Sequence, residues 1–155
     1  MDDCKSDFIL RFATERDTKI ILQFIKELAD FEKMSKDVVA TEESLKQSLF
    51  GKKCAEVIIG EYMSKPIGFV LFFHNFSTFI GKPGIYIEDI YVMPGYRHKG
   101  FGGIMLSYMA RLAVDRDCAR LEWSVLNWNE AAIKFYLKAG AKAMNEWTVF
   151  RLSDL

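Results

Sequence analysis

The pattern of hydrophobic residues divides the chain into short strand-like segments and segments with a helical period. Residues 8–12 have strand character, and Thr14 with Asp17 three positions later has the arrangement of a helix-capping box. The apolar stripe of the helix that follows consists of Ile20, Ile21, Phe24, Ile25, Leu28 and Phe31. Thr41 is predicted to cap a second, shorter helix.

The rest of the chain alternates between strand and helix patterns. Residues 55–61 and 67–73 flank the short segment Met-Ser-Lys-Pro, which predicts an antiparallel hairpin. Further along, the pattern predicts a strand at 85–92, a helix at about 100–116, a strand at 121–125, a helix at 130–139 and a last strand at 148–152. Gly140 is the expected C-cap of the last helix.

The order of these elements predicts the fold class. The strand–helix–strand unit between residues 85 and 125 is expected to be parallel and right-handed, whereas the hairpin is antiparallel. The prediction is therefore an α/β (α+β) domain with a mixed, largely antiparallel central sheet flanked by helices. A chain of 155 residues without a linker or repeat is expected to form one domain over residues 1–155.

Composition narrows the functional classes. Lysine plus arginine equals aspartate plus glutamate at 21 each, so no charge excess points to nucleic acid or to an anionic membrane. Cys4, Cys54 and Cys118 form no CxxC pair, so neither a metal site nor a disulfide framework is expected. The sequence has no signal-peptide pattern and no apolar run of membrane-spanning length, which predicts a cytoplasmic protein.

The segment around residues 87–104 carries the strongest chemical signal. A strand leads through a short basic loop into a helix whose first turn is rich in glycine. Such a helix start presents unpaired backbone N–H groups and the positive end of the helix dipole, and Arg97 and Lys99 add charge. This arrangement predicts a phosphate or pyrophosphate site. It is neither GxGxxG, because Met105 stands where the third glycine is needed, nor a P-loop.

Two motifs in the expected order resemble a known enzyme superfamily. Arg97-x-x-Gly100-x-Gly102 after a strand resembles the acetyl-CoA pyrophosphate loop of the GNAT superfamily of N-acetyltransferases. The segment beginning at Asn127, with Phe135-Tyr136 and Gly140 at its end, resembles that superfamily's second motif. Residues 25–32, 79–82 and 86–93 also resemble the spermidine/spermine (diamine) and thialysine N-acetyltransferase branch, so the resemblance covers nearly the whole chain.

The resemblance implies the cofactor and its site. It implies acetyl-CoA as co-substrate, in the cleft after the fourth strand, and a homodimer. The cofactor-binding positions that match the family are Ile90, Tyr91, Val92, Arg97, His98, Lys99, Gly100, Phe101, Gly102, Gly103, Asn129 and Ala132. Tyr136 would be the general acid for the departing thiolate, and Asn129 would cap the helix that carries it.

The resemblance also implies a small-molecule amine substrate in an acidic and aromatic channel. The residues that match this channel are Phe31, Glu32, Glu88, Asp89, Glu146 and Trp147. A carboxylate near the amine can attract the cation and accept its proton, directly or through water, and Glu88 is the expected base. Neighbouring residues of a regular strand face opposite sides, so Glu88 and Asp89 can both line the cleft only if a bulge interrupts the strand there.

Two other functions remain open at this point. A protein or peptide N-acetyltransferase would have an open substrate groove in place of a closed acidic channel. A non-catalytic acyl-CoA-binding module would keep the loop from Arg97 to Gly103 and lose the proton donors, whereas this chain retains Tyr136, Glu88 and Asp89.

Overall fold

The computed structural model describes residues 7–153 of the chain. Their contacts group into two compact units that divide after Ser124. Cys4 lies outside the described residues, whereas Cys54 and Cys118 are free thiols.

The first unit is built on a five-stranded sheet. Its strands are β1 (Phe8–Phe12), β2 (Glu56–Tyr62), β3 (Lys65–Ser77), β4 (Lys82–Val92) and β5 (Leu121–Trp123), in that spatial order. The pairs β1–β2, β2–β3 and β3–β4 are antiparallel, and β4 and β5 are parallel. The predicted mixed, largely antiparallel sheet is therefore confirmed.

Three helices of this unit cover the sheet. They are α1 (Thr18–Phe31), preceded by a 3₁₀ turn at Glu15–Asp17, the short α2 (Glu42–Lys46) and α3 (Phe101–Asp115). Thr41 caps α2 as predicted, because its side-chain oxygen accepts a hydrogen bond of 3.1 Å from the Ser44 amide. At the start of α1, the Asp17 carboxylate accepts a bond of 2.8 Å from the Thr14 amide.

The two faces of the sheet pack against different helices. Phe24 of α1 stacks on Phe69 at 5.6 Å between ring centroids, and both belong to a buried cluster with Tyr91. On the other face, the Phe8 ring lies 4.5 Å from that of Phe101 at the start of α3. Full burial of these aromatic side chains fixes both helices on the sheet.

The hairpin between β2 and β3 turns at Met63 and Ser64, as predicted from the pattern. Both residues have positive φ angles, 49° and 63°, which is the conformation that a two-residue hairpin turn requires. Neither residue is the usual glycine or asparagine, so the turn was predicted from the two apolar strand-like segments on either side of it and not from turn composition.

The second unit contains one regular element, α4 (Glu130–Lys138), within its described residues. Gly140 has a φ of 92°, consistent with its predicted role at the C-terminal end of this helix. The predicted last strand at residues 148–152 is wrong, because this segment has no strand structure. Val149 and Phe150 are 82% and 92% exposed, so β-branched and aromatic composition without a ladder partner did not produce a strand.

None of the described helices is long and apolar enough to span a membrane.

Candidate active site

A β-bulge interrupts β4 at Glu88. Asp89 lies opposite Leu71 and Ile87 lies opposite Phe72, so two neighbouring residues of β3 face two residues of β4 that are separated by Glu88. The bulge that the sequence required for both carboxylates is therefore present. Glu88 is exposed and Asp89 is half-buried.

The bulge also changes the side of the sheet on which the odd-numbered side chains of β4 lie. Ile87 shares the α3 side with its partner Phe72, whereas Tyr91 shares the α1 side with its partner Phe69. Asp89, two residues before Tyr91, points to the α1 side as well. In a regular strand, Asp89 would lie on the same side as Ile87, which is the α3 side.

Three carboxylates interact at this position. Burial, with the negative charges of Glu88 and Glu32, raises the pKa of Asp89 to about 6. Burial also raises the pKa of Glu32, which follows the last residue of α1. An acid that is desolvated beside like charges holds its proton more tightly, so this cluster favours the arrival of a cation. Within residues 7–153, no three acidic, histidine or cysteine side chains are grouped closely enough to hold a metal ion.

Beyond the bulge, β4 has a strand partner on one side only among residues 7–153. β5 pairs with β4 only opposite Ile85, Tyr86 and Ile87 in the described part of the chain. The predicted cofactor-binding positions Ile90 and Val92 therefore pair with β3 alone. A strand edge of this kind can accept hydrogen bonds from an extended ligand in place of a further strand.

The start of α3 has a backbone geometry that suits an anion. Gly100 adopts a φ of 87° immediately before the helix, and His98 adopts a φ of 62°. The first amides of a helix have no carbonyl partner within it, and they lie here at the positive end of the helix dipole. A Cβ atom built on Gly102 or Gly103 would meet nothing within 4 Å, so open space lies before this backbone.

Neighbouring side chains hold this helix start in place. The Phe101 side chain is 1% exposed and packs on Phe8 and on Tyr62, whose ring centroid is 5.3 Å away. The Lys99 ammonium lies 5.6 Å from the centroid of the Tyr96 ring. Lys99 and His98 themselves are exposed, so their charges or donors are available to an anion at the surface.

Arg97 is directed toward α1. Its Nε donates a hydrogen bond of 2.8 Å to the Val92 carbonyl. The guanidinium carbon lies 4.9 Å from the Phe31 ring centroid and 5.4 Å from that of Tyr91. The family resemblance implies a cofactor contact for Arg97 and a substrate contact for Phe31, and the structure brings these two side chains together.

The hydrogen bond between Tyr91 and Glu27 was not found from the sequence. The Tyr91 hydroxyl donates to Glu27 Oε2 at 2.7 Å. Burial and the Glu27 carboxylate raise the pKa of Tyr91 to about 12, so the hydroxyl remains a donor at neutral pH. The available signal was that Glu27 and Phe31 are four residues apart and share one face of α1.

The remaining predicted residues belong to the second unit. Asn129 caps α4 as predicted, since its Oδ1 accepts a bond of 3.3 Å from the Ala132 amide. Tyr136 lies on this helix, and its ring centroid is 5.3 Å from that of Phe135. Glu146 and Trp147 lie in the irregular segment after α4, and both are exposed.

Ser77 lies far from the carboxylates within one chain. Its side chain is 5% exposed at the end of β3. Leu71, the partner of Asp89, is six positions earlier, which corresponds to about 20 Å along a strand. A charge at position 77 would therefore not act through the carboxylate cluster of the same chain.

Comparison with known proteins decides the family. The model of the acetyltransferase (GNAT) family matches residues 22–141. The chain belongs to this family. It is an acyltransferase of the N-acetyltransferase type, and the resemblance seen in the sequence is confirmed.

Individual GNAT proteins are similar over most of the chain. The thialysine N-epsilon-acetyltransferase of Bos taurus is 36% identical, over 92% of this chain and 91% of that protein. The L-ornithine N5-acetyltransferase of Arabidopsis thaliana is 32% identical, over 93% of this chain and 83% of that protein. The solved structure of an aminoglycoside acetyltransferase from an uncultured soil metagenomic sample superposes with a TM-score of 0.82. The superposition covers 97% of this chain and 99% of that chain at 15% sequence identity, which supports the GNAT fold.

Proposed function

We propose that this protein transfers the acetyl group of acetyl-CoA to the primary amine of a small molecule. The substrate class is a thialysine-like, lysine-like or ornithine-like amino acid, a short diamine or a polyamine. The observation that carries the proposal is the cluster of Glu88 and Asp89, on the strand that leads into the glycine-rich start of α3, with Glu32 at the end of α1. The names of the bovine and Arabidopsis relatives support an amino acid with a side-chain amine.

The residues present fit acetyl-CoA. The pyrophosphate would lie on the backbone amides between His98 and Gly103, where glycine leaves open space. The pantetheine arm would follow the open edge of β4 at Ile90, Tyr91 and Val92, with Asn129 and Ala132 contributing from α4. Acetyl-CoA supplies the activated thioester carbonyl that the amine attacks.

The carboxylate cluster would bind and deprotonate the amine. An alkyl amine has a pKa of about 10.4, so the substrate arrives mostly as a cation. Glu88 and Asp89 attract this cation, and one of them accepts its proton directly or through a water molecule. Asp89 is better matched to this step than Glu88, because its raised pKa of about 6 is closer to neutral pH.

The second unit would complete the reaction. Tyr136 donates a proton to the departing thiolate, and Glu146 and Trp147 contact the amine substrate. The proposal treats residues 1–155 as one acetyltransferase domain, because the family match spans both sides of Ser124. A homodimer in the cytoplasm, with no nucleic-acid partner, belongs to the same proposal and is supported by the resemblance to the diamine and thialysine branch.

An amine panel assayed by release of CoA thiol tests the proposal. The panel contains thialysine, lysine, ornithine, putrescine, spermidine, spermine and a lysine-containing peptide. We expect the highest kcat/KM among the free amino acids and short diamines. A preference for the peptide would instead support a protein acetyltransferase, and acetyl-CoA binding without any turnover would support a non-catalytic module.

A further inference from the structure

The guanidinium of Arg97 lies where three elements meet. It follows the 3₁₀ turn at Pro94–Tyr96, and its Nε donates to the carbonyl of Val92, the last residue of β4. Its planar group lies over the ring of Phe31, the last residue of α1. One side chain therefore contacts the loop, the strand and the end of the helix.

The same contact extends to the interior through Tyr91. The guanidinium also lies over the Tyr91 ring, whose hydroxyl donates to Glu27 one helical turn before Phe31. Glu27 thus connects the last turn of α1 to β4 directly, and Phe31 connects it through Arg97, which donates to the Val92 carbonyl. Glu32, which takes part in the carboxylate cluster, is the next residue after Phe31.

We infer that Arg97 is a positioning residue that sets the Phe31–Glu32 end of α1 against the anion-binding loop. Its main partners are then the Val92 carbonyl and the rings of Phe31 and Tyr91, and its effect is on binding of the amine and not on binding of acetyl-CoA. This inference rests on the proposed function, which places the amine at the carboxylate cluster. It reassigns a residue that the motif alone would give to the pyrophosphate.

The chemistry of the side chain supports this role. Only arginine combines a planar group that stacks on aromatic rings with N–H donors in a fixed fork. A lysine at the same position keeps the positive charge and loses both the stacking plane and the fork. The substitution Arg97→Lys therefore distinguishes two roles. A role that needs only positive charge, such as binding a phosphate, should survive it, whereas a role that needs the guanidinium plane to position α1 should not.

The first measurement is hydrogen exchange at the end of α1. The amides of Glu32, Lys33 and Met34 donate to the Leu28, Asp30 and Ala29 carbonyls at 2.9, 3.0 and 2.7 Å. We expect Arg97→Lys to accelerate exchange in the peptide that covers residues 28–34. Phe31→Leu, which removes the ring and keeps an apolar side chain, should accelerate exchange in the same peptide. Arg111→Lys, at an exposed position on α3, is the matched control and should leave exchange there as in the wild type.

The second measurement separates the two substrates. Arg97→Lys removes the guanidinium plane that stacks on Phe31, and a contact of this kind corresponds to at most about thirtyfold, so kcat/KM for the amine should fall by about two- to thirtyfold. The dissociation constant of acetyl-CoA, measured by calorimetry, should stay close to that of the wild type. In a Phe31→Leu background Arg97→Lys should add little, because both changes remove the same contact.

The outcome at the end of α1 decides the inference. Unchanged exchange in both Arg97→Lys and Phe31→Leu would overturn it, and weaker acetyl-CoA binding with unchanged exchange would identify Arg97 as a phosphate ligand. If the wild type acetylates no amine, the proposed function fails. Exchange and calorimetry still decide the placement of Arg97 in that case, because neither requires turnover.

Discussion

Asp89 has an environment that suits a proton acceptor. Its neighbour Glu88 is exposed, whereas Asp89 is half-buried and has a pKa of about 6. The sequence predicts Glu88 as the base, whereas the environment favours Asp89, because desolvation depends on the packing around the bulge, which the sequence does not show. The three-dimensional environment therefore distinguishes two acids that are adjacent in the chain.

Replacement of Asp89 by asparagine should remove most of the activity. The amide keeps the shape and cannot accept a proton, so we expect kcat/KM for the amine to fall by about 10²–10⁴-fold, the usual value of general-base catalysis. In the wild type, kcat/KM should fall as the pH drops through about 6, where Asp89 becomes protonated. Glu88→Gln is the matched variant, and a larger loss there than in Asp89→Asn would assign the base to Glu88.

Replacement of Tyr136 tests the proposed protonation of the departing thiolate. Tyr136→Phe keeps the ring beside Phe135 and removes only the hydroxyl. We expect kcat to fall by about 10²–10⁴-fold, with the acetyl-CoA dissociation constant nearly unchanged. Single-turnover kinetics at saturating acetyl-CoA measure this step, and activity close to that of the wild type would leave Tyr136 without a catalytic role.

Secondary structure was predicted well where a hydrophobic period and a clear end signal coincide. The helix bounds at Phe101–Asp115 and Glu130–Lys138 agree with the sequence to within a residue or two. β3 and β4 extend further toward their hairpin than predicted, because Lys82, Pro83 and Gly84 gain ladder partners that their composition does not suggest. The direction of Arg97 was not predictable either, since it depends on rings from two other elements.

The start of α3 gives a prediction for cofactor binding. Gly102→Asp places a carboxylate where the pyrophosphate would lie, so acetyl-CoA binding should be lost in a calorimetric titration. The fold should persist, because a Cβ at this position meets nothing within 4 Å. Gly102→Ala is the matched control, which adds the Cβ without the charge and should retain binding. Normal acetyl-CoA affinity in a folded Gly102→Asp protein would contradict the assignment of the loop.

Ionisation of Asp89 should lower the stability of the protein as the pH rises, although the same ionisation raises its activity. Its pKa is raised from 3.8 to about 6 in the folded state, so the native protein binds more protons than the unfolded chain between these values. The free energy of unfolding therefore decreases as the pH rises through this window, and the loss is complete above about 6. We expect Asp89→Asn to have a higher Tm than the wild type at pH 7.5 and a similar Tm at pH 4. A variant that is less stable at pH 7.5 would contradict this.

The extra residue in β4 shifts by one position which residue numbers face each side of the sheet. Up to Ile87 the odd-numbered side chains of the strand belong to the α3 side, and from Asp89 onward they belong to the α1 side. Removing Glu88 would restore an uninterrupted ladder and would leave Ile87 and Asp89 on their present sides, because adjacent residues of a regular strand face opposite sides. The bulge therefore adds one acidic side chain next to Asp89 without changing the layer to which Asp89 belongs.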